Sequence, residues 1–221
     1  MLASLVSLAS LTSIALSTKQ YGNSLVELMI SMTLGLASIT AMASLVGHGI
    51  ALNSILLAKS RLEEEMNAVM AVVSHDLKRA GFYALTNEMV KNPIMSINPF
   101  DDNLSVGAYA NETANSCINF AYDRNKNGVL DVSPSNEKYG FRLRDRAVET
   151  RLNGAACDKS GWHDLTDPKV VHVTVFKFTI EQTIVLQVTQ TRVNIELQAR
   201  LKKHPDILRS ISTSVLIENY E

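Results

Sequence analysis

The sequence predicts an α+β chain: a long N-terminal helix whose first half spans a membrane, packed on an antiparallel β-sheet head. Three observations carry this. From Leu28 to Ala58 no Asp, Glu, Lys or Arg occurs. Between residues 62 and 77 apolar residues recur at helical spacing. Beyond residue 116 the chain turns to Val-, Ile- and Thr-rich segments of period two.

The uncharged run is longer than the roughly 20 residues a helix needs to cross a bilayer. Gly35, Gly47 and Gly49 lie inside it, as membrane helices tolerate, and His48, the one ionisable side chain in its middle, reads as a neutral histidine near the interface. Glu27 stands at its edge with no cation close after it. A carboxylate there is costly in lipid unless something answers it. The helix continues beyond the run: Leu62, Met66, Val69, Val73 and Leu77 form one apolar stripe among charges. Gly81 after "LKRA" is a stop signal. The helix is expected from about Ser24 to Ala80.

Residues 87–114 are rich in Asn, Pro and Asp and read as a long connecting loop. Strand signals follow at 117–123, 139–152, 169–180, 183–201 and 207–219. Their short connections argue for an antiparallel sheet. Its apolar face needs a cover, which the stripe on residues 62–77 can supply. Hydrophobic residues make up 46% of the 221 and concentrate before residue 59. What remains is one ordinary domain. A net charge of -1 carries no whole-chain signature of nucleic-acid binding.

Cys117 and Cys157 are the two cysteines, and with no Cys/His cluster beside them they make a poor zinc site. Outside the cytoplasm a disulfide is the natural reading, stabilising by roughly 3–4 kcal/mol in the chain-entropy model; the alternative is two unrelated buried thiols. "DRNKNGVLD" places Asp123, Asn125, Asn127, the Val129 carbonyl and Asp131 at the spacing of a calcium loop, with Gly128 in the sixth place. Its twelfth position is Pro134 and Glu137 comes three residues late. The competing reading is a β-turn on Asn127-Gly128. Either way Ca2+ is an addition and no cofactor is required. Histidines 48, 75, 163, 172 and 204 are scattered, no catalytic arrangement forms and no Gly-rich phosphate loop occurs, so an enzyme is not expected. Trp162 and the "YGF" aromatics belong to the core or the disulfide region.

"GNSLVEL" followed by a long apolar helix resembles the N-terminus of type IV prepilins and of type II secretion pseudopilins. "RLEEEMNAVMAVVSHDLKRAGFYA", "CINFAYDRNKNGVLD", "YGFRLRDRAVETR" and "LTDPKVVHVTVFKFTI" look similar to PilW-type minor pilins, so the resemblance covers most of residues 19–221. It implies a type IV pilin-like fold and cleavage by prepilin peptidase between Gly22 and Asn23, with methylation of the new N-terminus. Lys19 fits the basic leader, while Asn23 stands where the family prefers Phe or another apolar residue. Glu27 matches the glutamate at the fifth mature position, an assembly residue. The implied organisation is a leader at 1–22, a transmembrane and assembly helix at 23–58, and a periplasmic head at 59–221. Residues 1–18 carry no side-chain charge, unlike a secretory signal, and a start near Leu16, with residues 1–15 misassigned, would leave a short polar leader. The implied partners are other minor pilins, the major pilin, the peptidase, the inner-membrane assembly platform and, before assembly, lipid. The implied location is the inner membrane and then the pilus. A J-type pseudopilin and an uncleaved, single-pass membrane-anchored binding protein are the alternatives.

Overall fold

The computed structural model describes residues 24–84, 90–92, 98–186 and 188–218. Its contacts divide the chain into two compact units, Met1–Leu52 and Asn53–Glu221. Helix α1 runs over Leu25–Leu77. In the first unit every described residue is exposed, and the helix is long and apolar enough to cross a membrane. Its few polar side chains turn back on their own backbone. Ser31 and Ser38 donate to the carbonyls of Glu27 and Leu34 at 2.7 and 2.8 Å, and His48 Nδ1 lies 2.8 Å from the Ser44 carbonyl. The outer surface is left almost wholly apolar.

In the second unit the helical stripe becomes core: Leu62, Val73 and Leu77 are fully buried, with Met66, Val69 and Met70 nearly so. Strands follow as β1 (Ser105–Gly107), β2 (Cys117–Ala121), β3 (Lys138–Arg144), β4 (Ala147–Arg151), β5 (Trp162–Asp164), β6 (Val171–Val185), β7 (Val188–Leu201) and β8 (Leu208–Ile217). Every pairing is antiparallel. The α+β, pilin-like fold is therefore present, but the head carries two sheets: one of order β1-β2-β3-β4-β5 and one of order β6-β7-β8. The chain leaves the first sheet at "LTDPK", where Pro168 has no N–H to extend a ladder. Ile118, Phe120, Phe141 and Leu143 from one sheet and Phe176, Phe178, Ile195 and Leu197 from the other join the helical stripe in a single core.

Two expected boundaries shift. The loop at 87–114 contains a 3-10 turn, Asp101–Asn103, and β1, which pairs Ser105 with Asn119 and Gly107 with Cys117. The expected break between residues 180 and 183 is absent: β6 continues to Val185, which pairs with Val188. Leu186 takes φ +49 there, a conformation costly for a side chain with a Cβ. No Gly, Asn or Asp advertises that turn. The β3–β4 hairpin also turns on two residues of positive φ, Asp145 and Arg146.

Candidate functional site

Three places bear on function: the start of α1, the loop after β2 and the disulfide region. Gly22 and Asn23 lie outside the described residues. Glu27 sits exposed in the first turn of α1, the end where a helix dipole favours negative charge. Among the described residues no cation pairs with its carboxylate.

The end of α1 is laced to the loop that follows β2. Gly81, at φ +76, donates its N–H to the Ala121 carbonyl at 2.9 Å, and Asp123 donates to the Phe82 carbonyl at 2.8 Å. The Arg79 guanidinium lies 4.0 Å from the centre of the Tyr122 ring, which stacks on Tyr139 at 4.1 Å. Burial pushes the Tyr122 hydroxyl well above the ordinary tyrosine range, so it stays protonated. The "LKRAG" element is thus a joint between helix and sheet.

Asp123 is buried at that joint. Its Oδ2 accepts the N–H of Ala84 at 3.0 Å and of Gly128 at 2.8 Å, and its Oδ1 accepts the N–H of Asn127 at 3.1 Å. Glu137, equally buried, accepts from Arg124 at 2.7 Å and Asn125 at 3.3 Å on one oxygen and from Asp131 at 3.1 Å on the other. Two carboxylates withdrawn from water are answered by backbone donors, the usual condition for such burial. The Nδ2 groups of Asn125 and Asn127 donate to Asp131 Oδ2 at 2.6 and 2.9 Å, and Asn127 Oδ1 accepts the Val129 N–H. As arranged, amide N–H groups face Asp131 where a calcium site would present oxygens. Among the described residues no three His, Cys, Asp or Glu side chains gather around a metal-sized site. Glu137, three residues beyond the twelve-residue spacing, thus belongs to the loop as an acceptor of backbone N–H groups and not at a ligand position of that spacing.

Cys117 and Cys157 form a disulfide across a sequence separation of 40. It ties the segment 152–161 over the outer face of the five-stranded sheet. Two arginines hold the same segment. Arg142 is fully buried: its Nη1 donates to the carbonyls of Cys157 and Lys159 at 2.7 and 2.8 Å, its Nε pairs with Glu149, and its guanidinium carbon lies 4.9 and 4.6 Å from the centres of the Tyr109 and Trp162 rings. Arg151 donates to the carbonyls of Ala155, Gly154 and Tyr139. Burial lowers its pKa from the ordinary arginine value. Beside it, a Cβ on Gly140 would stand 2.6 Å from the Ile118 carbonyl oxygen, so the strap closes over a strand that has no room for a side chain there. Trp162 donates Nε1–H to the Ala156 carbonyl at 3.1 Å.

A long apolar N-terminal helix followed by an antiparallel head laced to the end of that helix defines the class, a pilin-like protein. Residues 55–217 match the family described as Prepilin peptidase-dependent protein B, and the chain belongs to that family. An uncharacterized protein of Haemophilus influenzae is 23% identical over 202 residues, covering 74% of this chain and 82% of the relative. The Prepilin peptidase-dependent protein B of Escherichia coli K12 is 27% identical over 101 residues, covering 45% of this chain and 52% of that protein. No solved structure matches significantly. The family bears the prepilin peptidase name, whereas the sequence resemblance pointed to PilW-type minor pilins.

Proposed function

We propose that this chain is a minor pilin of the PilW type, cleaved by prepilin peptidase after Gly22, methylated on Asn23, and used in type IV pilus assembly or priming. Its role is assembly, not catalysis. The observation that carries the reading is the pairing of "GNSLVEL" with a helix whose residues 24–57 are all exposed within the chain. Such a surface needs a cover from outside, first lipid and then the helices of other pilins. In a staggered bundle Glu27 meets the N-terminal amine of a neighbouring subunit. Breaking such a pair in a low-dielectric bundle is strongly destabilising, so it sets register. In this reading residues 23–58 are the membrane and assembly helix, and 59–221 the periplasmic head that meets other minor pilins, the major pilin and the assembly platform.

Mass spectrometry of the mature N-terminus tests it. The expected result is an N-methylated Asn23, with Gly22→Ala leaving the precursor uncut. A mature chain beginning upstream of Asn23 would sink the reading and leave the uncleaved, membrane-anchored binding protein.

Calcium would add to this role rather than underlie it. Turning the Asn125 and Asn127 carboxamides over would direct their oxygens, with Asp123, Asp131 and the Val129 carbonyl, toward one ion. Two formal charges suit weak affinity, about 0.1–1 mM. The melting temperature should then rise in millimolar Ca2+ and not in Mg2+; an unchanged temperature removes calcium from the account.

A further inference from the structure

The outer edges of the two sheets are unlike one another. β1 and β5 have three residues each. β6 is bonded along its edge, where the N–H groups of Val173 and Phe178 reach the carbonyls of Arg146 and Asn115 at 2.9 Å. β8 has ten residues, no proline and no lysine, and Arg209 is its single charge. Among the described residues no backbone–backbone hydrogen bond reaches the side of β8 away from β7, although the Leu208 carbonyl at its start accepts from the Arg209 guanidinium at 3.3 Å. Proteins ordinarily blunt such an edge with short strands, bulges, lysines or prolines; β8 carries none of these.

The register says which groups are free. Phe178 points its N–H away from β7, so its pair with Ile195 is of the non-hydrogen-bonded kind. Ile195 therefore turns its N–H and C=O toward β8, where Thr213 stands opposite. Thr213 is spent on β7, and by alternation Ser210, Ser212 and Ser214 direct their backbone groups outward. The side chains of all three serines are exposed.

We propose that β8 pairs antiparallel with the β8 of a second copy of this chain, about a two-fold axis at Thr213. The case for a second copy is self-complementarity, as a symmetric interface requires. This register sets Ser212 opposite the partner's Ser214, Ile211 opposite the partner's Val215, and Thr213 opposite the partner's Thr213. Hydroxyl and β-branched pairs of this kind stabilise neighbouring strands. Arg209 falls opposite the partner's Ile217, so the two arginines lie at opposite ends and no like charges meet. Each Arg209 already pairs with Glu63 of its own chain at 2.7 Å. The register also keeps the faces consistent: Ile211, Val215 and Ile217 stay on the core side and the serines on the solvent side. The contact goes beyond the assembly role and does not depend on cleavage after Gly22.

The test is sedimentation velocity of the full chain in detergent micelles across the micromolar range. Ser212→Pro removes one outward N–H per copy, while Ile211 and Thr213 keep their bonds to β7; proline is tolerated at such an edge position. The wild type should show a concentration-dependent dimer. The variant should weaken it by about tenfold or more, two hydrogen bonds being lost per dimer, with an unchanged melting temperature at concentrations where both proteins are monomeric. Should Ser212→Pro fail to fold, Ser214→Pro removes the equivalent bonds. A wild type that is monomeric throughout overturns the proposal, and so does a proline variant that dimerises as tightly as the wild type, because the contact would then lie elsewhere, as on α1.

Discussion

From Ser24 to Leu52 every side chain is exposed, apolar ones included, whereas in the second unit Leu62, Val73 and Leu77 have no exposure at all. Both stretches belong to one continuous helix. The first is apolar on all sides, the pattern of a helix covered on every side by lipid or by other helices. The second has one apolar stripe, and two sheets close on it. The difference separates what the chain can satisfy alone from what it leaves to partners. The head completes its own core and ties its outer strap with a disulfide and two arginines. Among the described residues the first stretch buries none of its side chains.

Four substitutions break or sharpen that contrast, each read by thermal or denaturant unfolding of the full chain in detergent. Arg142→Ala should cost most, about 3–5 kcal/mol, because it leaves Glu149 charged and unpaired beneath the strap. A loss under about 1 kcal/mol would show that the disulfide and Arg151 hold segment 152–161 without Arg142. Leu62→Ala should cost about 2–5 kcal/mol, a cavity in the shared core. Glu65 gives a smaller, pH-dependent effect. Its half-buried carboxyl has a raised pKa, chiefly from burial and partly from the Asp167 carboxylate, opposed by the Asp167 backbone N–H. A raised acid favours the folded state below the ordinary glutamate range, and that contribution is lost as pH rises through the folded value. Glu65→Gln should therefore melt higher than the wild type at neutral pH, the advantage vanishing near about pH 4. The opposite trend would mean that the Asp167 N–H dominates. Leu36→Ser should leave unfolding of the head within about 0.5 kcal/mol of the wild type. A loss like that of Leu62→Ala would show that the first stretch packs within the chain.

Much of the fold was legible because it rests on local periodicity. The buried stripe on α1 follows from spacing and so do most strand segments; the helix itself ends at Leu77, a turn before the Gly81 that marks the stop. The hairpin at Leu186 was not legible, since "TIVLQV" reads as unbroken strand and the turn follows from pairing between distant residues. At the candidate sites the same divide holds. The N-terminal pattern of Gly22, Asn23 and Glu27 is visible as a string. Arg142 and Arg151 are not, because alternation in "YGFRLRDRAVETR" assigns them to the face opposite Phe141 and Leu143, which ordinarily meets water.

By itself the sequence determined the long helix, its division into an all-apolar and a one-sided half, and the antiparallel head, because each follows from the hydrophobicity of residues a few places apart. Only the tertiary structure decided that the head splits into two sheets, that Arg142 is buried under the strap, that Glu137 closes the Asp123 loop, and that the outer edge of β8 meets no other strand among the described residues. Each of these depends on backbone donors and acceptors supplied from elsewhere in the chain, or, along β8, on no strand among the described residues supplying them. No local pattern records where those partners will stand.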